Sequence, residues 1–275
     1  MSQALALASA FFYGIGDFAG GYATKRVSVW RVIAWAQLLG LALLGVGLFV
    51  VAAPRVTAAD LLWGSVAGLA GLAGLVLLYL SLARGTMAIV APISGAVAAA
   101  VPVVFDLIDG PGLTTRQGLG VAMALGAILL VGLGHDATQI DRRSLLGGVV
   151  AGAMFGLFFI ALAQTDPASG LWPLVAARAT TIPVAFAIAA YRGVAGPPRS
   201  SDLGVVVVAG TFDMAANIAG ALALQRGPVG VTAVLVSLYP AVTAVTAIVV
   251  LHERPTGLQI AGIILAMAAL VALVG

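Results

Sequence analysis

Charged residues, glycines and prolines divide the chain into ten apolar stretches, at 3–23, 30–52, 60–83, 86–105, 113–133, 143–163, 170–191, 201–224, 228–250 and 256–275. About 20 apolar residues in helical form cross a bilayer. The stretches are rich in Ala, Leu and Val and lack the period-two alternation of barrel strands, so the backbone is expected to satisfy itself as helices. Loops of only a few residues predict that consecutive helices are antiparallel neighbours, with no soluble domain inserted.

Composition supports the same solvent. Of 275 residues, 62% are hydrophobic and 8% charged, against about 25% charged in a typical soluble domain. The absence of cysteine excludes disulfides and thiolate metal sites. A net charge of +3, scattered through short loops, forms no basic patch and argues against nucleic acid as a partner. The start Met1-Ser2-Gln3 lacks the positive leader of a secretory signal, so the first stretch is read as a retained helix.

A gap-free shift of 142 residues superimposes Trp30 on Trp172, Asp60 on Asp202, Arg84-Gly85 on Arg226-Gly227, Thr114 on Thr256 and Gln117 on Gln259. Paired Ala or Leu would mean little in such a sequence; paired Trp, Asp, Arg and Gln in one register point to duplication. The units are 1–135 and 143–275, five helices each. An odd number makes the second unit enter the membrane from the opposite side, so the repeats are inverted, an architecture of secondary transporters. The predicted fold is all-α: ten transmembrane helices as two inverted five-helix repeats around a central cavity.

Three runs in the second half carry a family resemblance: Leu224-Gln225-Arg226-Gly227-Pro228, Ser237-Leu238-Tyr239-Pro240-Ala241 and His252-Glu253-Arg254-Pro255-Thr256. The first half echoes them in Leu82-Ala83-Arg84-Gly85 and departs at Asp109-Gly110-Pro111-Gly112, while Gly16-Asp17-Phe18-Ala19-Gly20-Gly21 marks the first helix. The pattern resembles the ten-helix EamA-type exporters of the drug/metabolite transporter superfamily. That resemblance implies a basket of helices around a central cavity and export of amino acids or other small metabolites, apolar and aromatic ones among them, without ATP. It also implies a place in the inner (plasma) membrane of a bacterium.

Ionisable residues at membrane depth are costly and mark functional positions by default. Asp213 lies near the middle of its stretch, with Asn217 one turn on along the same face. The pair can bind a substrate amine, Asp213 can carry a proton, or the carboxylate can be structural, bonded to a neighbouring helix. Arg178 can bind a substrate carboxylate, pair with Asp213, or snorkel to the interface. Asp17, sharing a face with Tyr13, lies toward the end of the first helix, facing either the cavity or the interface. Gln37, Tyr79, Ser94, Phe158, Ser237 and Tyr239 complete the candidate substrate-binding set, although each alone is also ordinary packing; Trp35 and Gln164 are further polar side chains at that depth. Trp30, Trp63 and Trp172 read as interface anchors. Pro92, Pro102, Pro183 and Pro240 fall inside apolar stretches, as hinges, cavity-lining breaks or static kinks.

Enzyme signatures fail. Gly14-Ile15-Gly16-Asp17-Phe18-Ala19 fits a dinucleotide pattern but sits in an apolar helix without the strand that motif requires. Lys25 is the single lysine and no Walker loop precedes it, and neither His135 nor His252 falls in a metalloprotease motif. No cofactor or metal is expected, and the partners are a small-molecule substrate and the lipid bilayer. The reading is a secondary-active transporter working by alternating access; a channel-like pore or an intramembrane enzyme using the same cavity is the rival.

Orientation rests on loop charges. Lys25, Arg26, Arg31, Arg84, Arg142, Arg143, Arg192, Arg199 and Arg254 fall on one side and Arg55, Arg116 and Arg226 on the other. The positive-inside rule puts both termini outside, whereas EamA-type relatives are often drawn with both in the cytoplasm.

Overall fold

The computed structural model describes residues 1–84, 87–109, 113–133, 142–251 and 256–274. Gly85, Gly110-Pro111-Gly112, His135 and His252-Glu253-Arg254-Pro255, all considered above, lie outside the described residues. Among the described residues eleven α-helices follow one another: α1 Ser2–Thr24, α2 Val29–Val50, α3 Ala58–Arg84, α4 Met87–Asp109, α5 Thr115–Leu133, α6 Arg142–Ala163, α7 Trp172–Tyr191, α8 Ser200–Leu224, α9 Val229–Val236, α10 Tyr239–Leu251 and α11 Gly257–Val274. There is no strand among the described residues. By length and composition α1, α2, α3, α6, α7 and α8 can each cross a membrane, and shorter apolar helices cover 93–108, 115–130 and 229–243.

Several residues paired by the 142-residue shift mark helix starts. Thr57 and Asp60 form a capping box at the head of α3, with the Thr57 amide donating to Asp60 Oδ2 at 2.8 Å and the Asp60 amide donating back to Thr57 Oγ1 at 3.3 Å. Thr114 and Gln117 do the same for α5, at 3.0 and 3.2 Å. Each box satisfies amides that a helix start otherwise leaves unbonded. Asp60 and Asp202 both stand in the first turn of their helices, where a carboxylate meets the positive end of the helix dipole. Asp60 also accepts from the Asp166 amide at 2.7 Å, tying α3 to the α6–α7 connection. There the Ala168 amide and the Arg55 guanidinium hold the Asp166 carboxyl below the usual carboxylate range.

The ninth apolar stretch, expected as one helix over 228–250, is instead broken into α9 and α10. Pro240 has no amide hydrogen to give the Val236 carbonyl one turn back. The chain crosses the gap with a tighter turn, Leu238 amide to Leu235 carbonyl at 3.3 Å. α4 makes room: a Cβ built on Gly95 would lie 2.9 Å from the Pro240 ring and 3.2 Å from the Ser237 carbonyl. Pro92 and Pro102 lie within the continuous α4, and Pro183 within α7. With α9 and α10 taken as one interrupted span, ten spanning segments fit the described helices.

Consecutive helices are not the main neighbours that short loops suggested. α1 packs chiefly on α8, α3 on α6, and α5 on α11, while α2 contacts α8 and α7, α3 contacts α7, and α4 contacts α6 and α9. Lipid tails are as apolar as leucine, so helices in a bilayer choose partners by close approach of small residues. A Cβ on Gly210 of α8 would overlap the Ala36 carbonyl of α2, and one on Gly68 of α3 would lie 2.7 Å from Ala177 Cα of α7. These glycine faces meet across the halves of the chain, and this overrides the proximity that short loops provide. At Gly170, φ of +55° takes the chain into left-handed conformation ahead of α7, where a side chain would be strained.

Candidate functional site

Where the two halves meet, a cavity opens among the helices. α1 contributes Tyr13 and Asp17, α2 contributes Gln37, and α3 contributes Gly68, Gly71, Leu72 and Leu75. Phe155, Phe158 and Phe159 come from α6, Leu174, Ala177 and Arg178 from α7, and Asp213 and Asn217 from α8. Ala98 of α4, Val236 at the end of α9 and Tyr239 at the start of α10 close it. The centre of a water-sized sphere can occupy about 60 Å³ of this space, room for a few water molecules at roughly 10–15 Å³ each.

Arg178 Nη2 donates to Asp213 Oδ2 at 2.6 Å, with side chains 11% and 22% exposed. Of the three arrangements open to Arg178, this is the ion pair, and it engages the Asp213 carboxylate too. Asn217 turns its amide back along α8 to the Asp213 carbonyl at 2.7 Å, orienting its side chain on the wall. Gln37 Oε1 accepts from the Thr181 hydroxyl at 2.7 Å, both residues being buried. Thr181 was not among the candidates; its place three residues after Arg178, on one helical face, was the available signal.

Asp17 faces the cavity and makes no hydrogen bond or ion pair with any described residue. α1 and α8 touch beside it: a Cβ on Gly16 would lie 3.2 Å from the Asp213 amide nitrogen. The Tyr13 and Tyr239 rings stand 6.3 Å apart and tilted by 60°, and Phe158 meets Phe159 edge to face at 5.4 Å.

Three candidates lie off the wall. Tyr79 packs behind it with its hydroxyl against Gly20, one turn of α1 beyond Asp17. Ser94 on α4 and Ser237 at the α9–α10 break are buried close by, and their hydroxyls and that of Tyr239 have no hydrogen-bond partner among the described residues. Trp35 is not at the site: its indole donates to the Ala195 and Gly196 carbonyls beyond α7, both at 3.1 Å. Gln164 is exposed beyond the end of α6. Trp63 and Trp172 are exposed near helix starts, and the Arg192 guanidinium stands 5.9 Å over the Trp30 ring.

One buried carboxylate escaped the sequence reading. Asp106, near the end of α4, is buried and accepts from the Gly230 amide at 2.5 Å, serving as an external cap for α9. Its position close to a helix end gave no sign that α9 would begin against it. Among the described residues, no three His, Cys, Asp or Glu side chains come together to hold a metal.

Residues 142–275 match the EamA-like transporter family. No curated protein matches the chain. A solved structure described only as the crystal structure of a protein is similar at 17% identity, with a TM-score of 0.73 over 98% of this chain and 95% of that one; the likeness is one of fold. The apolar helices and the family match together make this an integral membrane protein.

Proposed function

We propose that the chain is a secondary-active transporter that carries a small metabolite across the membrane by alternating access between two inverted repeats. The observation behind this is the cavity itself: a space able to hold water, with an ion pair on its wall, enclosed by helices from both halves of an apolar chain. The pairing of α1 with α8 answers that of α3 with α6, and α2 with α8 answers α3 with α7, as expected of two similar units packed about a pseudo-two-fold axis. Such units can exchange conformations and open one central site to either side. The break between α9 and α10 at the cavity supplies interrupted backbone of the kind transporters place at their sites.

The cargo has an apolar or aromatic body, matched by the Phe155, Phe158 and Phe159 side of the wall, and apolar or aromatic amino acids are the first compounds to test. Export is the direction the family resemblance favours, driven by an imposed pH gradient. Purified protein in liposomes, loaded with an unlabelled amino-acid mixture and offered each labelled compound outside, is expected to give saturable counterflow. Conductance that does not saturate, without counterflow, means a pore instead.

A further inference from the structure

We propose that the cavity selects a cationic amine, with Asp17 as its counter-ion; this rests on the transport reading above and narrows its substrate class. Three side chains that carry a full charge when ionised lie on the wall, Asp17, Asp213 and Arg178, and with all three ionised their charges sum to −1 (−1 − 1 + 1). Arg178 and Asp213 are joined at 2.6 Å and neutralise one another. In that state the excess negative charge resides on Asp17, which has no partner among the described residues. A lone carboxylate facing a small cavity at membrane depth is costly until a cation meets it.

What surrounds Asp17 suits a nitrogen cation. Tyr13 and Tyr239 turn aromatic rings to the same cavity, 6.3 Å apart, and the faces of such rings attract ammonium groups. Tyr239 is 5% exposed, so it meets the cavity with little more than part of its ring. An anion meets the opposite: no guanidinium is free to receive it, because Arg178 is already engaged, and Asp17 repels it. A zwitterion gains at Asp17 and loses at its carboxylate. The preference order is therefore amine cation, then zwitterion, then anion.

The test uses the full chain in liposomes and four labelled probes sharing one phenyl ring: 2-phenylethylammonium, benzyltrimethylammonium, L-phenylalanine and 3-phenylpropionate. At least one ammonium probe is expected to exchange saturably, roughly tenfold or more faster than phenylalanine, the difference expected of one charge-assisted contact, with no exchange of phenylpropionate. Asp17→Asn should lower ammonium exchange by a similar factor, and Asp17→Glu should recover part of it; a single sharp gel-filtration peak for each variant shows that it is folded. Equal or better exchange of phenylalanine or phenylpropionate overturns the inference and leaves the transport reading standing. Ammonium exchange unchanged in a folded Asp17→Asn also overturns it. If no probe exchanges, both the inference and the transport reading fall.

Discussion

Arg178→Met leaves the Asp213 carboxylate on the cavity wall without its guanidinium. At the effective dielectric of about 20 suited to such sites, unit charges about 4 Å apart attract by about 4 kcal/mol. Breaking buried pairs by removing one partner costs about 3–5 kcal/mol. The contact here is a single bond of 2.6 Å, and Asp213 is 22% exposed toward the cavity, which puts the loss near the lower end, about 3 kcal/mol. Asp213→Asn leaves the Arg178 guanidinium without its carboxylate and should cost a similar amount. The double variant removes both charges and should fall only slightly below wild type, so the two substitutions are strongly non-additive. For a chain of this size each kcal/mol moves a thermal midpoint by roughly 2–4 °C. Arg178→Met should therefore melt roughly 6–12 °C below wild type in detergent at one scan rate, and the double variant should recover most of that loss. Losses that simply add in the double variant, with coupling below about 0.5 kcal/mol, would refute the pair as an energetic unit.

Gly210→Ala should lower the midpoint by the equivalent of about 1–3 kcal/mol, because its Cβ overlaps backbone in α2 and no flexible side chain can yield. Gly204→Ala on the open face of the same helix has nothing within 4 Å and should leave the midpoint unchanged or slightly raised; equal behaviour of the two sinks the packing argument. Asp106→Ala leaves the Gly230 amide buried without an acceptor, at about 1–3 kcal/mol, and amide exchange in the first turn of α9 should quicken, whereas unaltered exchange there rejects the capping role. Both termini are expected outside; a reporter active only in the cytoplasm and fused after Gly275 should stay silent, and strong activity reverses the charge count.

The helices were legible because their boundaries are local. Thr57 with Asp60 and Thr114 with Gln117 announce helix starts within four residues, and apolar length does the rest. The break at Ser237-Leu238 was only half legible. Pro240 removes a donor wherever it stands, but Pro102 and Pro183 do the same inside unbroken helices; what differs is Gly95 on α4, which admits the Pro240 ring. Among site residues, Asp213, Asn217 and Arg178 stood out because charge and amide groups are rare in so apolar a chain. Which of three fates Arg178 takes depends on which face of α7 turns to the cavity, and that is set by residues far away in sequence, such as Gly68 of α3, which packs on Ala177. The same distance hid Thr181 as the partner of Gln37, and Asp106 as the cap of a helix 124 residues downstream.

Gly230–Val236 of α9 are buried on every side, so this short helix has no lipid-facing surface. Acyl chains are fluid and reshape around whatever apolar group is presented to them, which leaves outward positions such as Phe49 and Ile108, 95% and 74% exposed, free to drift among apolar residue types. Val234 and Leu235 are held by fixed neighbours that cannot reshape. In a saturation scan of this chain, mutational tolerance should therefore collapse across these seven residues in the manner of a water-soluble protein's interior, with the bilayer contributing nothing to their choice.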